Sequence, residues 1–244
     1  MKTFSTCYSP ALYPLFKEHD SIVVVVDILR ATSAICTAIH HGVGSMIPVA
    51  GVDEALRYKQ QGFLVAAERN AIKLEGFDFG NSPYHFMDES LTGKSIVIST
   101  TNGTQAIAAA ADAEEIVIGS FLHLNALADW LHLQQKNIIV LCAGWKNKFN
   151  MEDSLFAGAL FQELERKGGV DTHCDSTIAM AHLYDRAKHN LYEFLGRSSH
   201  RHRLQDLNLE KDIRYCLTAN IFTTIPVYRN GSIVNLNSVL SEVK

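Results

Sequence analysis

The segment Ile22–Ser33, IVVVVDILRATS, sets the architecture. Five consecutive β-branched residues lead into Asp27, Arg30 follows three positions later, and Ala31-Thr32-Ser33 open a run with helical spacing. That order predicts a strand buried on both faces that feeds a helix. Asp27 then stands at the strand's C-terminal end, where open α/β sheets take their ligands. A carboxylate and a guanidinium placed there can hold a cation and an anion side by side, and Mg²⁺ with a phosphate ester is the simplest such pair. The plainer account is an Asp that caps the helix and an Arg that pairs with it.

Outward from this stretch the pattern repeats. A first edge strand is expected over Lys2–Tyr8, followed by an irregular or short helical connection carrying Pro10 and Pro14. Downstream, the helix Ala31–His41 ends at Gly42. A strand over Ser45–Val49, a helix Asp53–Gln61 with Asp53 as N-cap, and a strand Phe63–Ala67 come next. A long loop from Glu68 to about Phe86 interrupts the rhythm and is a candidate binding loop. Strands at Ser95–Ser99, Glu115–Ile118 and Asn137–Cys142 then alternate with helices at Thr104–Ala111 and Leu124–Leu133. The expectation is a three-layer α/β/α fold with a mostly parallel sheet. A C-terminal helical segment is expected at Glu152–Lys167, Ser176–Leu195, Ser199–Asp206 and Leu209–Ala219. A short hairpin of Phe222–Tyr228 and Ser232–Leu236, turning through Asn230-Gly231, closes the chain. With no linker or repeat, residues 1–244 read as one domain, at most two closely packed halves.

Composition narrows the function classes. The 244 residues are 47% hydrophobic and 20% charged, with a net charge of −4, values of an ordinary soluble protein that argue against nucleic acid as a partner. The five cysteines are scattered without a C-x-x-C pair, which fits reduced thiols in a cytoplasm better than zinc or disulfides. No segment has the length of a membrane span or the form of a cleaved leader, so a cytoplasmic protein without a membrane partner is expected. The apolar content is compatible with a homodimer. The P-loop, the dinucleotide fingerprint and the G-x-S-x-G elbow are all missing. Asp27 also lacks the second aspartate, two positions on, of haloacid-dehalogenase-type phosphatases, because position 29 is Leu.

Four strand ends carry polar clusters: Asp27 to Arg30, Glu68-Arg69, Thr100 to Thr104, and Gly144 to Asp153. If the strands are parallel, all four lie along one sheet edge. Thr101, Asn102, Gly103 and Thr104 join a strand to a helix N-terminus, the local form of an anion cradle, although a well-capped helix start explains them equally. Glu152 and Asp153 open a helix whose dipole favours acidic residues, and Mg²⁺ sites need one or two carboxylates beside a substrate phosphate. The loop Glu75–Pro83 is either a plain Ω-loop or a substrate lid, and Lys146, Lys148, Arg201, His202 and Arg203 can receive a second anionic group.

Taken together, VVVDILRATS (Val24–Ser33), AERNAIKLEGFDFGNSP (Ala67–Pro83), STTNGT (Ser99–Thr104), Glu152-Asp153 with Ala157-Gly158, and SSH…L…DIRYCL…IPVY from Ser198 to Tyr228 resemble the ComB-type 2-phosphosulfolactate phosphatase family. The resemblance implies an α/β/α enzyme that hydrolyses (2R)-2-phospho-3-sulfolactate to 3-sulfolactate and phosphate with Mg²⁺, a step toward coenzyme M. In that setting Asp27, with Glu68, Glu152 or Asp153, would hold the metal. Arg30 and the amides of Asn102–Thr104 would take phosphoryl charge, and water or Asp27 itself would attack. Arg69, Asn81, Ser82 and the segment from Ser199 to Arg203 are candidates for the substrate's carboxylate and sulfonate. Two other readings are a phosphatase for another phosphorylated hydroxy acid and a non-catalytic module that binds a phosphorylated metabolite.

Overall fold

The computed structural model describes residues 1–242. Its sheet has 11 strands in the order β5-β4-β6-β3-β11-β10-β7-β2-β8-β1-β9. These are β1 (Lys2–Cys7), β2 (Ser21–Val26), β3 (Ser45–Pro48), β4 (Leu64–Arg69), β5 (Ile72–Lys73), β6 (Ser95–Ser99), β7 (Glu115–Gly119), β8 (Asn137–Cys142), β9 (Val170–Asp171), β10 (Pro226–Arg229) and β11 (Ser232–Asn235). As the β-branched run predicts, every residue of β2 is buried. Its side chains alternate between two cores, which is what a strand of period two does between helical layers. Ile22, Val24 and Val26 pack with Leu127, Leu131, Phe156 and Leu160 from the helices Leu124–Leu133 and Met151–Lys167. Val23 and Val25 pack with Ile35, Ile39 and Ile107 from the helices Ala31–His40 and Gly103–Ala109 on the other side. The three-layer α/β/α expectation holds.

The single parallel edge does not. Strands β4, β6 and β3 are mutually parallel, and so are β7, β2, β8, β1 and β9. Between the blocks stands the C-terminal hairpin. Strand β11 is antiparallel to β3 and to β10, and β10 is antiparallel to β7, so the two blocks run in opposite senses. The hairpin is therefore the seam of the sheet rather than an appendage, with Asn230 and Gly231 both at positive φ in its turn (50° and 83°). Residues that leave the C-terminal ends of strands in both blocks nonetheless line one cleft, as strand twist allows. At about 20–25° per step, the five steps from β6 to β2 accumulate more than 100° of rotation, and the helix Ala31–His40 packs against Met46, Ile96 and Ile98 of one block and Val23 and Val25 of the other.

Other local expectations are adjusted by packing. Strand β1 is covered by the two-residue β9 and is not the edge. Gly51, not Asp53, caps the helix Val52–Gln60, and Asp53 lies in its first turn. Part of the long loop folds back as β5 on Glu68 and Arg69. The helical pattern over 176–195 breaks into Asp175–Ala187 and Leu191–Phe194, because Asn190 accepts the Glu193 N–H and starts a new helix. The five cysteines are free thiols. Among the described residues no helix is long and apolar enough to cross a membrane.

The helices Met151–Lys167 and Asp175–Ala187 cross at Gly158, where an added Cβ would lie 2.2 Å from the Met180 carbonyl oxygen. Gly158→Ala is expected to destabilise the protein by roughly 2–3 kcal/mol through overpacking against backbone. Thermal melting checks this, and an unchanged Tm contradicts the contact.

Candidate active site

Four chain segments that leave strands meet in one cleft. The exit of β2 brings Asp27 and Arg30, β4 brings Glu68, β6 brings Thr101 and Asn102, and the turn after β8 brings Trp145. Leu29, Ala71, Asn81 and His200 complete the lining of this narrow, mostly polar cleft. Gly103 permits the approach of β6 to β2. A Cβ there would stand 2.5 Å from the Ala31 Cβ and 3.0 Å from Asp27 Oδ2.

Most polar side chains of the cleft are held by specific partners. Arg30 is buried and ion-paired through Nη1 with Asp212, and its Nη2 donates to the Ala71 carbonyl at 3.0 Å and to Asn81 Oδ1 at 2.8 Å. Its Nε–H has no partner. A guanidinium held on three sides with a free N–H is a pre-set anion donor. Asn81, fixed through its oxygen, has its amide N–H groups left to donate. Thr101 donates its backbone N–H to Glu68 Oε1 at 2.6 Å, and its hydroxyl accepts from Asn70 N–H at 3.3 Å. Asn102 Oδ1 accepts the Lys146 N–H at 3.4 Å.

The acidic residues divide into roles that their order in the chain does not reveal. Asp153 is buried and accepts three N–H groups: Ile28 at 2.8 Å, Gly144 at 3.2 Å and the Asn150 side chain at 2.8 Å. It is a staple between the β2 exit, the β8 exit and the helix Met151–Lys167, and it does not line the cleft. Glu152 faces His200, with Oε1 2.5 Å from Nδ1. Glu68 lines the cleft, but both its oxygens accept backbone N–H groups, from Ala71 and Thr101. Asp27, like Glu68, is buried in the cleft with backbone N–H but no side-chain hydrogen-bond partners, its own donor being Ala31. Its carboxyl is pushed up to about 8, first by burial and then by the charge of Asp153, with His200 opposing and Glu68 adding to the rise. Burial and the Glu152 charge likewise raise Asp153, against the pull of its N–H donors.

Of the candidate metal ligands, the structure brings Asp27 and Glu68 into the cleft and turns Glu152 and Asp153 to other partners. Among the described residues no three His, Cys, Asp or Glu side chains converge as a ligand cluster. The residues do fit a more open Mg²⁺ site, which takes one or two carboxylates and completes its shell with water and substrate phosphate. Asp27 and Glu68 line the same small cleft, and the buried carboxylate charge around Asp27 lacks a compensating cation, since Arg30 is committed to Asp212.

The other expected binding residues are spread around the cleft. Arg69 turns away to the Glu68 carbonyl and Ser99 Oγ. Ser82 is buried behind Asn81 without lining the cleft. Thr104 and Thr100 cap each other's N–H groups, so Thr104 supports the helix start. Ser199 lines an adjoining pocket with Lys148, Asn150, Glu152 and Arg197, which shares Trp145 and His200 with the cleft. Arg201 stacks on Tyr192, and Arg203 stacks on Trp145. His200 falls within the candidate segment Ser199 to Arg203 without being singled out there, whereas Asp212, Asn150 and Trp145 are not picked out individually; for Asp212 the only signal is its place in the DIRYCL stretch.

The family model for 2-phosphosulpholactate phosphatase matches residues 7–231. The chain belongs to this family. Among 2-phosphosulfolactate phosphatase relatives, a probable one from Caldanaerobacter subterraneus subsp. tengcongensis is 39% identical over 213 residues, covering 86% of this chain and 88% of that protein. A probable 2-phosphosulfolactate phosphatase from Thermotoga petrophila is 41% identical over 208 residues, covering 85% and 89%. One from Clostridium perfringens is 34% identical over 223 residues, covering 89% and 90%.

The raised Asp27 carboxyl has a stability consequence. Folding favours its protonated form, so its contribution is fully present below the unfolded value near 4 and is lost as pH rises through about 8. Without added metal, Tm is expected to fall between pH 6 and pH 9, and Asp27→Asn to fall less, ending at least about 1 kcal/mol more stable than the parent at pH 9. Parallel melting curves for the two proteins would contradict the buried-charge account.

Proposed function

We propose that the protein is a Mg²⁺-dependent phosphatase that hydrolyses (2R)-2-phospho-3-sulfolactate to 3-sulfolactate and phosphate, the coenzyme M type of step. The observation that carries the reading is the small cleft that holds both the buried carboxyl of Asp27 and the fixed guanidinium of Arg30, in a chain of this family. Asp27 and Glu68 would hold the metal, which would supply charge neutralisation at the phosphoryl oxygens. Arg30, through its free Nε–H, and the side chains of Thr101 and Asn102 bind the phosphoryl group and take charge as the ester bond lengthens. Positioning by groups already fixed by the fold avoids reorganisation at the moment of reaction. Asn81 binds the carboxylate, and the adjoining pocket, with Lys148, Arg197 and Ser199, receives the sulfonate. We place the activity in the cytoplasm, where free thiols persist.

Phosphate release from racemic 2-phospho-3-sulfolactate, followed with Mg²⁺ and with EDTA, tests the reading. Release is expected only with the metal. Asp27→Asn is expected to lower kcat by at least about 100-fold, and Arg30→Lys by about 10–100-fold, because a point charge cannot keep three contacts and a free donor. Turnover in EDTA, or a fully active Asp27→Asn protein, would overturn it.

A further inference from the structure

The proposed hydrolysis leaves one demand unmet by the residues assigned so far. The leaving group is the alkoxide of a secondary alcohol, and expelling it without a proton is slow. We propose that His200 is the acid that protonates this oxygen and that Glu152 is the residue that positions it, an assignment that rests on the phosphatase reading above.

The geometry is that of an oriented imidazole. His200 Nδ1 lies 2.5 Å from Glu152 Oε1, and a carboxylate only accepts, so Nδ1 carries a hydrogen and Nε2 is the atom left for substrate. Glu152 is fully buried, and its Oε1 also accepts the Asn150 side-chain N–H at 3.2 Å, which fixes the carboxylate plane. The residue is nearly buried at 8% exposure yet lines the cleft with Asp27 and Arg30, and among the described residues it is the only histidine that does. Its position at the junction of the cleft and the adjoining pocket is where a substrate spanning both would place its ester oxygen. Trp145 lies against the ring at a centroid distance of 5.8 Å, and Arg203 covers Trp145 at 3.8 Å, so the imidazole has little freedom to swing out. Carboxylate, imidazole and reacting oxygen form a relay of the kind that orients a proton donor in other hydrolases.

The step balances. Water oxygen bonds to phosphorus as the ester P–O bond breaks, and the His200 imidazolium passes its Nε2 proton to the departing oxygen. The water leaves one proton on the new phosphate and loses the other to solvent, from which His200 is reprotonated. One water is consumed, and one alcohol and one hydrogen phosphate are released.

A histidine that only clamps the helix Ser199–Asp206 against Met151–Lys167 would predict a different substrate dependence, and this decides the matter. Parent, His200→Ala and Glu152→Gln proteins are compared on 2-phospho-3-sulfolactate and on 4-nitrophenyl phosphate, whose leaving group needs no proton. His200→Ala is expected to lose about 10²–10⁴-fold in kcat on the alkyl ester and less than about 10-fold on the aryl ester, with KM little changed. Glu152→Gln is expected to show the same selectivity with a smaller loss, and it carries the test if His200→Ala fails to fold. Equal losses on both esters would overturn the assignment. If the parent turns over no aryl ester, added imidazole must restore alkyl-ester turnover to His200→Ala, and absence of rescue overturns it. A parent that hydrolyses neither ester overturns the phosphatase reading and the assignment with it, whereas an active parent with unselective losses overturns the assignment alone.

Discussion

The cleft depends on one buried carboxylate that takes no part in its lining. Asp153 receives the N–H groups of Ile28, Gly144 and Asn150, and so joins the exits of β2 and β8 to the start of the helix Met151–Lys167. Those exits carry Asp27 and Arg30 on one side and Trp145 on the other. A buried acceptor with three donors is strongly held, and its loss would leave three buried N–H groups without partners. Register at the active end of the molecule is therefore set by a polar contact, and the apolar alternation of β2 sets the layers behind it.

Holding Asp153 in place has an electrostatic consequence for its neighbour. The charge it keeps near Asp27 adds to the burial that raises the Asp27 carboxyl. Arg30 cannot compensate, because Asp212 already neutralises it. The cleft is thus poised short of positive charge. A cation bound there would relieve the mutual repulsion of its carboxylates and bring its own phosphoryl-binding capacity, so under the proposed function one imbalance would link the fold to metal and substrate.

What the sequence made legible was local. The strand at 21–26, the helix Leu124–Leu133, the strand Asn137–Cys142 and the Asn230-Gly231 turn follow from periodicity and turn chemistry within a few residues. The opposite sense of the two parallel blocks was not legible, because it follows from where the terminal hairpin inserts, a choice made by long-range pairing of β10 with β7 and β11 with β3. The same boundary runs through the site. Asp27, Arg30, Glu68, Thr101 and Asn102 sit at strand exits and could be picked out, whereas His200 and Asp212 reach the cleft from helices 48 and 182 residues from the partners they bind. The adjacent acidic pair Glu152-Asp153 reads as one metal-binding unit in sequence. Helical geometry points the two side chains in different directions, one to His200 and one to the strand exits.

The claim on which the account turns is that Asp27 makes the cleft a cation site. Calorimetric titration of Mg²⁺ into the parent and into Asp27→Asn at pH 7, repeated in buffers of different ionisation enthalpy, tests it most directly. The account predicts saturable binding by the parent with release of up to about one proton per ion, and loss of both binding and proton release in Asp27→Asn. Equal affinity in the two proteins, or parent binding without proton release, would contradict it.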